Sequence, residues 1–227
     1  MTPSQLEADI YQAWDFSDPD ASKAVFLERA EAARSVSTRQ IWLTQAARAD
    51  GLRSAFSLAR SLLVDLEATL EQIPQGPDRH HLAARLAIEW GRVLNSEGDP
   101  ASARPFFERA REEATAAGAE GLAIDALHMI AIVEGRLGGP SQSREWNEKA
   151  LIQARQSEDP DARRWQASLL NNLGWDHLDA GDAIGALALF EEALVERRQS
   201  GDAKLIQIAE EAVAEARNLL GQEPTSG

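Results

Sequence analysis

The sequence predicts an all-α fold of about 11 helices packed as stacked antiparallel pairs. Three observations predict it. Ala, Leu, Glu, Arg and Gln, all good helix formers, dominate nearly every block. Apolar residues recur at three- and four-residue steps, as in VFLERAEAA and FFERAREEA, and no stretch alternates with the period of two that a strand requires. A small residue inside a helical pattern returns at 47, 91, 131 and 174, a period of about 42.

The helices follow in order, each bounded by residues that stop one and start the next. Helices 4–15 and 20–35 form a weak pair over 1–36, in which ASKAVFLERA echoes ASARPFFERA further on. Helices 38–50 and 53–72 make the pair at about 38–72, and PQGPD at 74–78 ends it. Helices 78–97 and 100–117 make the pair at about 78–117. Between them Gly98 stops one helix, Asp99 caps the next and Pro100 fits its first turn. Gly139 and Pro140 repeat the device between helices 120–137 and 141–157, the pair at about 120–157. SEDPD at 157–161 precedes the pair at about 160–199, whose helices 160–180 and 183–199 meet at Gly181-Asp182. Helix 203–220 is expected to cap the stack. No linker is long enough to divide the chain, so 1–221 is expected as a single helical-repeat domain and 222–227 as a disordered tail.

Two copies of the repeat align without a gap: AIEWGRVLNSEGDPASARPFFERA at 87–110 and LNNLGWDHLDAGDAIGALALFEEA at 170–193. Gly91 matches Gly174, Ala103 matches Ala186, Phe107 matches Phe190 and Ala110 matches Ala193. Two weaker copies carry Ala47 and Ala131 at the small position. A glycine within a helix costs about 1 kcal/mol relative to alanine. At Gly174 it is expected to let the partner helix, with Ala186, approach the backbone, while Phe190 and Leu173 fill the adjacent space. A single pair cannot bury its apolar face, and stacking the pairs makes a continuous core.

The pattern resembles the tetratricopeptide repeat, in Leu170-x2-Leu173-Gly174-x2-His177 followed by Ala186-x3-Phe190 and Ala193, and in Trp90-Gly91 followed by Ala103-x3-Phe107 and Ala110. The likeness covers about 40–200; the period is longer than the family's usual one, and the closing proline is absent. It implies a right-handed α-solenoid whose first helices line a concave groove that binds peptides. Helical geometry then gives the residues facing away from the second helices. They are Thr44, Gln45 and Arg48; Glu89, Arg92 and Asn95; Asp125, His128 and Arg136; and Asn171, Asn172, Trp175 and Asp179. Asn and Arg suit an extended backbone or carboxylates, and Trp175 suits a ligand side chain. The competing reading of the set is a solvated inner face without a specific ligand. Arg48 and Arg92 follow the small position but no lysine does, unlike members that clamp carboxylate tails.

The remaining features exclude more than they propose. Net charge is −14, which argues against nucleic acid and anionic membranes as partners and suits a solubility role or a basic partner. No apolar run reaches the ~20 residues of a membrane span. The first residues lack a signal-peptide pattern, so a cytoplasmic setting is expected. There is no cysteine. His80 and His81 diverge on a helix, and no metal site or cofactor is expected. Within Trp175-Asp176-His177, Trp175 is expected to face the groove, Asp176 the solvent, and His177 to pack. Gly135, Gly138 and Gly139 read as a helix stop rather than a phosphate loop. The expected function is a non-catalytic protein-interaction module, not an enzyme. The alternative is self-association through edge or C-terminal helices, with Leu205, Ile206, Ile208, Val213, Leu219 and Leu220 offering apolar surface, although capping the last pair would use the same residues.

Overall fold

Proline sets the first turn of half of the helices, because its fixed φ suits the helix start and its missing N–H costs nothing there. Pro3, Pro19, Pro77, Pro100, Pro140 and Pro160 all take this role. In the computed structural model, which describes residues 2–222, the helices are α1 Pro3–Ala13, α2 Pro19–Ala32, α3 Val36–Leu52 and α4 Phe56–Leu70. They continue with α5 Pro77–Ser96, α6 Pro100–Ala117, α7 Glu120–Arg136 and α8 Pro140–Gln156. The last are α9 Pro160–Arg163, α10 Gln166–Asp179, α11 Ala183–Ser200 and α12 Ala203–Gln222. No strand occurs among the described residues, and residues 223–227 of the expected tail lie outside them. Asp99 and Asp182 cap α6 and α11, accepting from Ser102 N at 3.0 Å and Gly185 N at 2.8 Å.

Apart from α1 and α9, the helices pack chiefly on their neighbours in sequence: α3 on α2 and α4, α5 on α6, α7 on α6 and α8, α10 on α11, and α12 on α11. The core is a succession of apolar clusters along the stack. Phe26, Ile41 and Leu63 centre the first, Ile88, Phe107 and Ile130 the second, Ile124, Leu127 and Leu169 the third, and Phe190 with Val213 the fourth. Ala47, Gly91, Ala131 and Gly174 are all buried, as are Ala103, Ala110, Ala186 and Ala193. The close contact at the glycines is made by an aromatic ring. A Cβ on Gly91 would lie 2.5 Å from Phe107 Cε1, and one on Gly174 would overlap the Phe190 ring.

Two elements depart from the sequence expectation. The helix expected at 160–180 divides into α9 and α10. Asp161 and Ala162 of α9 are buried, and Asp161 lies so close to Gly121 that a Cβ there would collide with it. Trp165 N then bonds Ala162 O at 3.2 Å, a tighter i to i−3 turn that interrupts the helix. The second departure is α1. It has few contacts with α2 and does not complete a pair over 1–36; it crosses to α3, α7 and α9. Ser4 Oγ donates to Asp159 at 2.5 Å, across 155 positions of sequence.

Candidate binding site on the inner face

The site grows out of α5. His81, Arg85, Glu89 and Arg92 recur at three- and four-residue steps, so they form one stripe on a helix whose other buried positions are mostly apolar. The stripe faces α1, α3 and α7. Glu7 of α1 is 1 % exposed and meets two of its members. His81 Nε2 lies 2.6 Å from Glu7, and Arg85 Nε donates to Glu7 at 2.8 Å, with a second contact through its Nη2. Arg92 donates to Glu89 at 2.6 Å and to both oxygens of Asp125 at 2.7 Å. At the α3 end, Trp14 Nε1 donates to Gln45 at 3.1 Å, and Gln45 donates to Thr44 at 3.1 Å.

Burial and charge decide the state of these groups. Burial pushes the His81 imidazole down to about 4, so at neutral pH the uncharged ring can donate Nε2–H to Glu7. Burial also pushes Arg85 down to about 10. Burial opposes the charge on Arg92 too, but Asp125 and Glu89 outweigh it and hold the guanidinium above its ordinary pKa. Burial likewise opposes the Asp125 carboxylate, and Arg92, Arg48 and Arg85 together keep its pKa below the usual value. This is a fixed ionic lattice, costly to break from one side.

The residues expected along an open groove therefore divide. Gln45, Glu89 and Asn95 are buried, as are Thr44 and Asp125, and Arg92 is nearly so; Gln45, Glu89 and Arg92 belong to the lattice under α1. Arg136 is exposed and donates to Asn95 O at 2.7 Å and Oδ1 at 3.0 Å, joining the ends of α5 and α7. Arg48 is half-buried, with its guanidinium over the rings of Trp14 and Phe16. His128, Asn171 and Asn172 lie together beyond α1, where Asn172 Nδ2 is 3.2 Å from His128 Nδ1. Burial lowers the pKa of His128. Trp175 is 42 % exposed and stands edge-on to Phe190. Asp176 is not solvated as expected: it is half-buried, burial raises its pKa, and its carbonyl accepts from Arg144 at 2.8 Å. His177 holds the Asp182 carboxylate at 2.8 Å. Trp165 is half-buried against His128.

Two cavities flank the lattice. One of about 140 Å³ lies beneath α1, with Glu7, Arg48, Arg85 and Asp125 in its wall. The other, about 270 Å³, lies between α7, α10 and α12, lined by His128, Asn171, Asn172, Leu205 and Ile208 among others. The signal that could have found the lattice is the spacing of His81, Arg85, Glu89 and Arg92 on one face of α5. Nothing in residues 1–35 points to Glu7, whose partners lie 74 and 78 positions away.

Fold and site together define an α-solenoid of stacked helix pairs, an architecture commonly used for protein interaction. The family model described as tetratricopeptide repeat matches residues 122–194. Solved structures extend the likeness over most of the chain. BtubC (BKLC) from P. vanneervenii is 17% identical with a TM-score of 0.62, over 90% of this chain and 93% of that one. A Podosopora anserina protein assigned as a kinesin light chain, with nearly identical TPR-like repeats, is 16% identical with a TM-score of 0.58, over 84% and 90% of the two chains. At these identities the likeness speaks for the fold alone. None of the curated proteins matches the chain. Among the described residues no helix is long and apolar enough to cross a membrane.

Proposed function

We propose that the chain is a non-catalytic interaction module that receives a peptide or protein segment on the part of the inner face that α1 leaves open. The observation that carries this is the α7–α10–α12 groove, where the amides of Asn171 and Asn172 and the ring of His128 share a cavity with Leu205 and Ile208. Amides can pair with both the N–H and the C=O of an extended backbone, and the aliphatic wall on α12 gives a side chain somewhere to bury. The reading calls for no cofactor, and the net charge of −14 favours a partner that is neither nucleic acid nor an anionic membrane.

The test is affinity purification with the full chain against an Asn171→Ala/Asn172→Ala variant of unchanged circular dichroism. A partner retained by the wild type and lost by the variant supports the reading. Equal capture by both, or none by either, counts against it. A second reading, self-association through α12, draws support from Ile208 and Leu219, which are 47% and 39% exposed. A mass that stays monomeric in light scattering at high concentration removes that alternative.

A further inference from the structure

The cavity beneath α1 has an unusual wall for so acidic a chain. Four arginines from four helical regions line it: Arg48 of α3, Arg85 of α5, Arg164 between α9 and α10, and Arg197 of α11. The carboxylates nearby are already engaged. Glu7 is bound by Arg85, Asp125 by Arg92, and Asp161 by Arg164 at 2.6 Å. Among the described residues, neither Arg48 nor Arg197 has a carboxylate oxygen within 4.0 Å. Arg197 donates only to the neutral hydroxyl of Ser168, at 2.7 Å. Arg48 has only the faces of Trp14 and Phe16, at 5.2 and 5.4 Å from the ring centroids.

Withdrawing a guanidinium from water without a counter-charge is costly, and the cost is visible at both residues. Burial, with repulsion from Arg92, outweighs the attraction of the more distant Glu89 and Asp125 and pushes Arg48 down to about 10, and burial outweighs Tyr11 and Asp202 to lower Arg197. The remaining lining adds donors: Tyr11 and Ser168 bring hydroxyls. The indole N–H of Trp165, at the same wall, is buried without an acceptor among the described residues. A cavity rich in donors, with two guanidinium groups that touch no carboxylate, is built to accept oxygen atoms carrying negative charge. Its volume of about 140 Å³ falls below the ~300 Å³ at which drug-sized ligand pockets begin, so the occupant is small.

We propose that this cavity binds a small oxyanion, with Arg48 and Arg197 as its principal ligands. The cavity adjoins the partner groove proposed above, since Ser168 and Arg197 line both, but the oxyanion reading does not depend on that one. The oxyanion is either a tetrahedral phosphate or a compact carboxylate, and the two share the same recognition chemistry.

Isothermal titration calorimetry of the full chain in a phosphate-free buffer tests it, with inorganic phosphate in one arm and succinate in the other, at ionic strength held constant with KCl. Saturable one-to-one binding is expected in at least one arm, and the arm that saturates identifies the anion. Arg48→Gln and Arg197→Gln should each weaken it at least tenfold, and Arg109→Gln, an exposed change on α6, should leave it unaltered. If Arg48→Gln fails to fold, Arg197→Gln carries the comparison, since its half-buried side chain lies outside the lattice. Absence of saturable binding in both arms overturns the proposal. So does a non-saturating response shared by wild type and variants, which is ionic screening only, and so does undiminished affinity in Arg197→Gln. The titration contains no protein partner, so its failure leaves the groove reading untouched, and the failure of that reading leaves this one standing.

Discussion

Gly91 and Gly174 owe their place to the rings of Phe107 and Phe190, both fully buried. A side chain at either position must displace an aromatic ring in a packed core, and overpacking of this kind costs about 1–3 kcal/mol, occasionally more. Gly91→Val and Gly174→Val are therefore expected to lose about 3 kcal/mol or more of unfolding free energy in urea titrations. Gly221, whose Cβ would meet nothing within 4 Å, supplies the contrast: Gly221→Ala should be neutral or stabilising by up to about 1 kcal/mol. Equal losses at all three sites would defeat the argument. Ser54 carries a different strain. Its φ of 59° places it in the left-handed region, at the turn between α3 and α4. Ser54→Gly is expected to raise the midpoint of thermal unfolding, because glycine takes that conformation without a Cβ penalty.

For α1, the controlling contact is Glu7. Glu7→Ala leaves Arg85 buried with its nearest carboxylate gone and deprives His81 of its acceptor, a change expected to cost about 3–5 kcal/mol. Replacing both partners, Glu7→Met with Arg85→Met, should recover much of the loss, since neither is then an unpaired buried ion. Denaturation of the three proteins side by side decides it, and a double variant worse than Glu7→Ala refutes it. The same helix shows where the sequence stops being legible. Pairs α3–α4 through α10–α11 could be read because their evidence is local: small residues, caps and apolar spacing recur within each copy. Leu6 and Ile10 give α1 the apolar stripe of an ordinary repeat helix, and its true seat is written in residues on α3, α5 and α9. The break before α10 was hidden for the same reason, since it depends on Asp161 meeting Gly121. Of the site, helical spacing placed Glu89 and Arg92 on one face, but it did not join His81 and Arg85 to them. That this face is roofed over was not visible either, and so Gln45 and Glu89, placed in an open groove by helical geometry, lie inside.

Taken as one body, the chain should lose stability on mild acidification. His81 titrates near 4 when folded and near the ordinary 6.5 when unfolded. Between those values the unfolded chain binds a proton that the folded chain refuses. Stability from this group is thus present above about pH 6.5 and is lost as pH falls towards 4, to a total of about 3 kcal/mol. Asp125, held below its usual 3.8, adds a further loss under that pH. Urea titrations at pH 7, 5.5 and 4.5 should show the decline, and His81→Gln should flatten it between 6.5 and 4. An identical slope in the variant rules His81 out as the source. Repeat stacks ordinarily hold together neighbour by neighbour. Here the bond from Ser4 to Asp159 fastens the beginning of the chain to a place 155 residues on. On a ribosome adding 5–20 residues each second, that separation is a wait of roughly 8–30 s. Glu7 can meet Arg85 once α5 is made, but a nascent chain halted before Asp159 would still lack the bond that fastens Ser4.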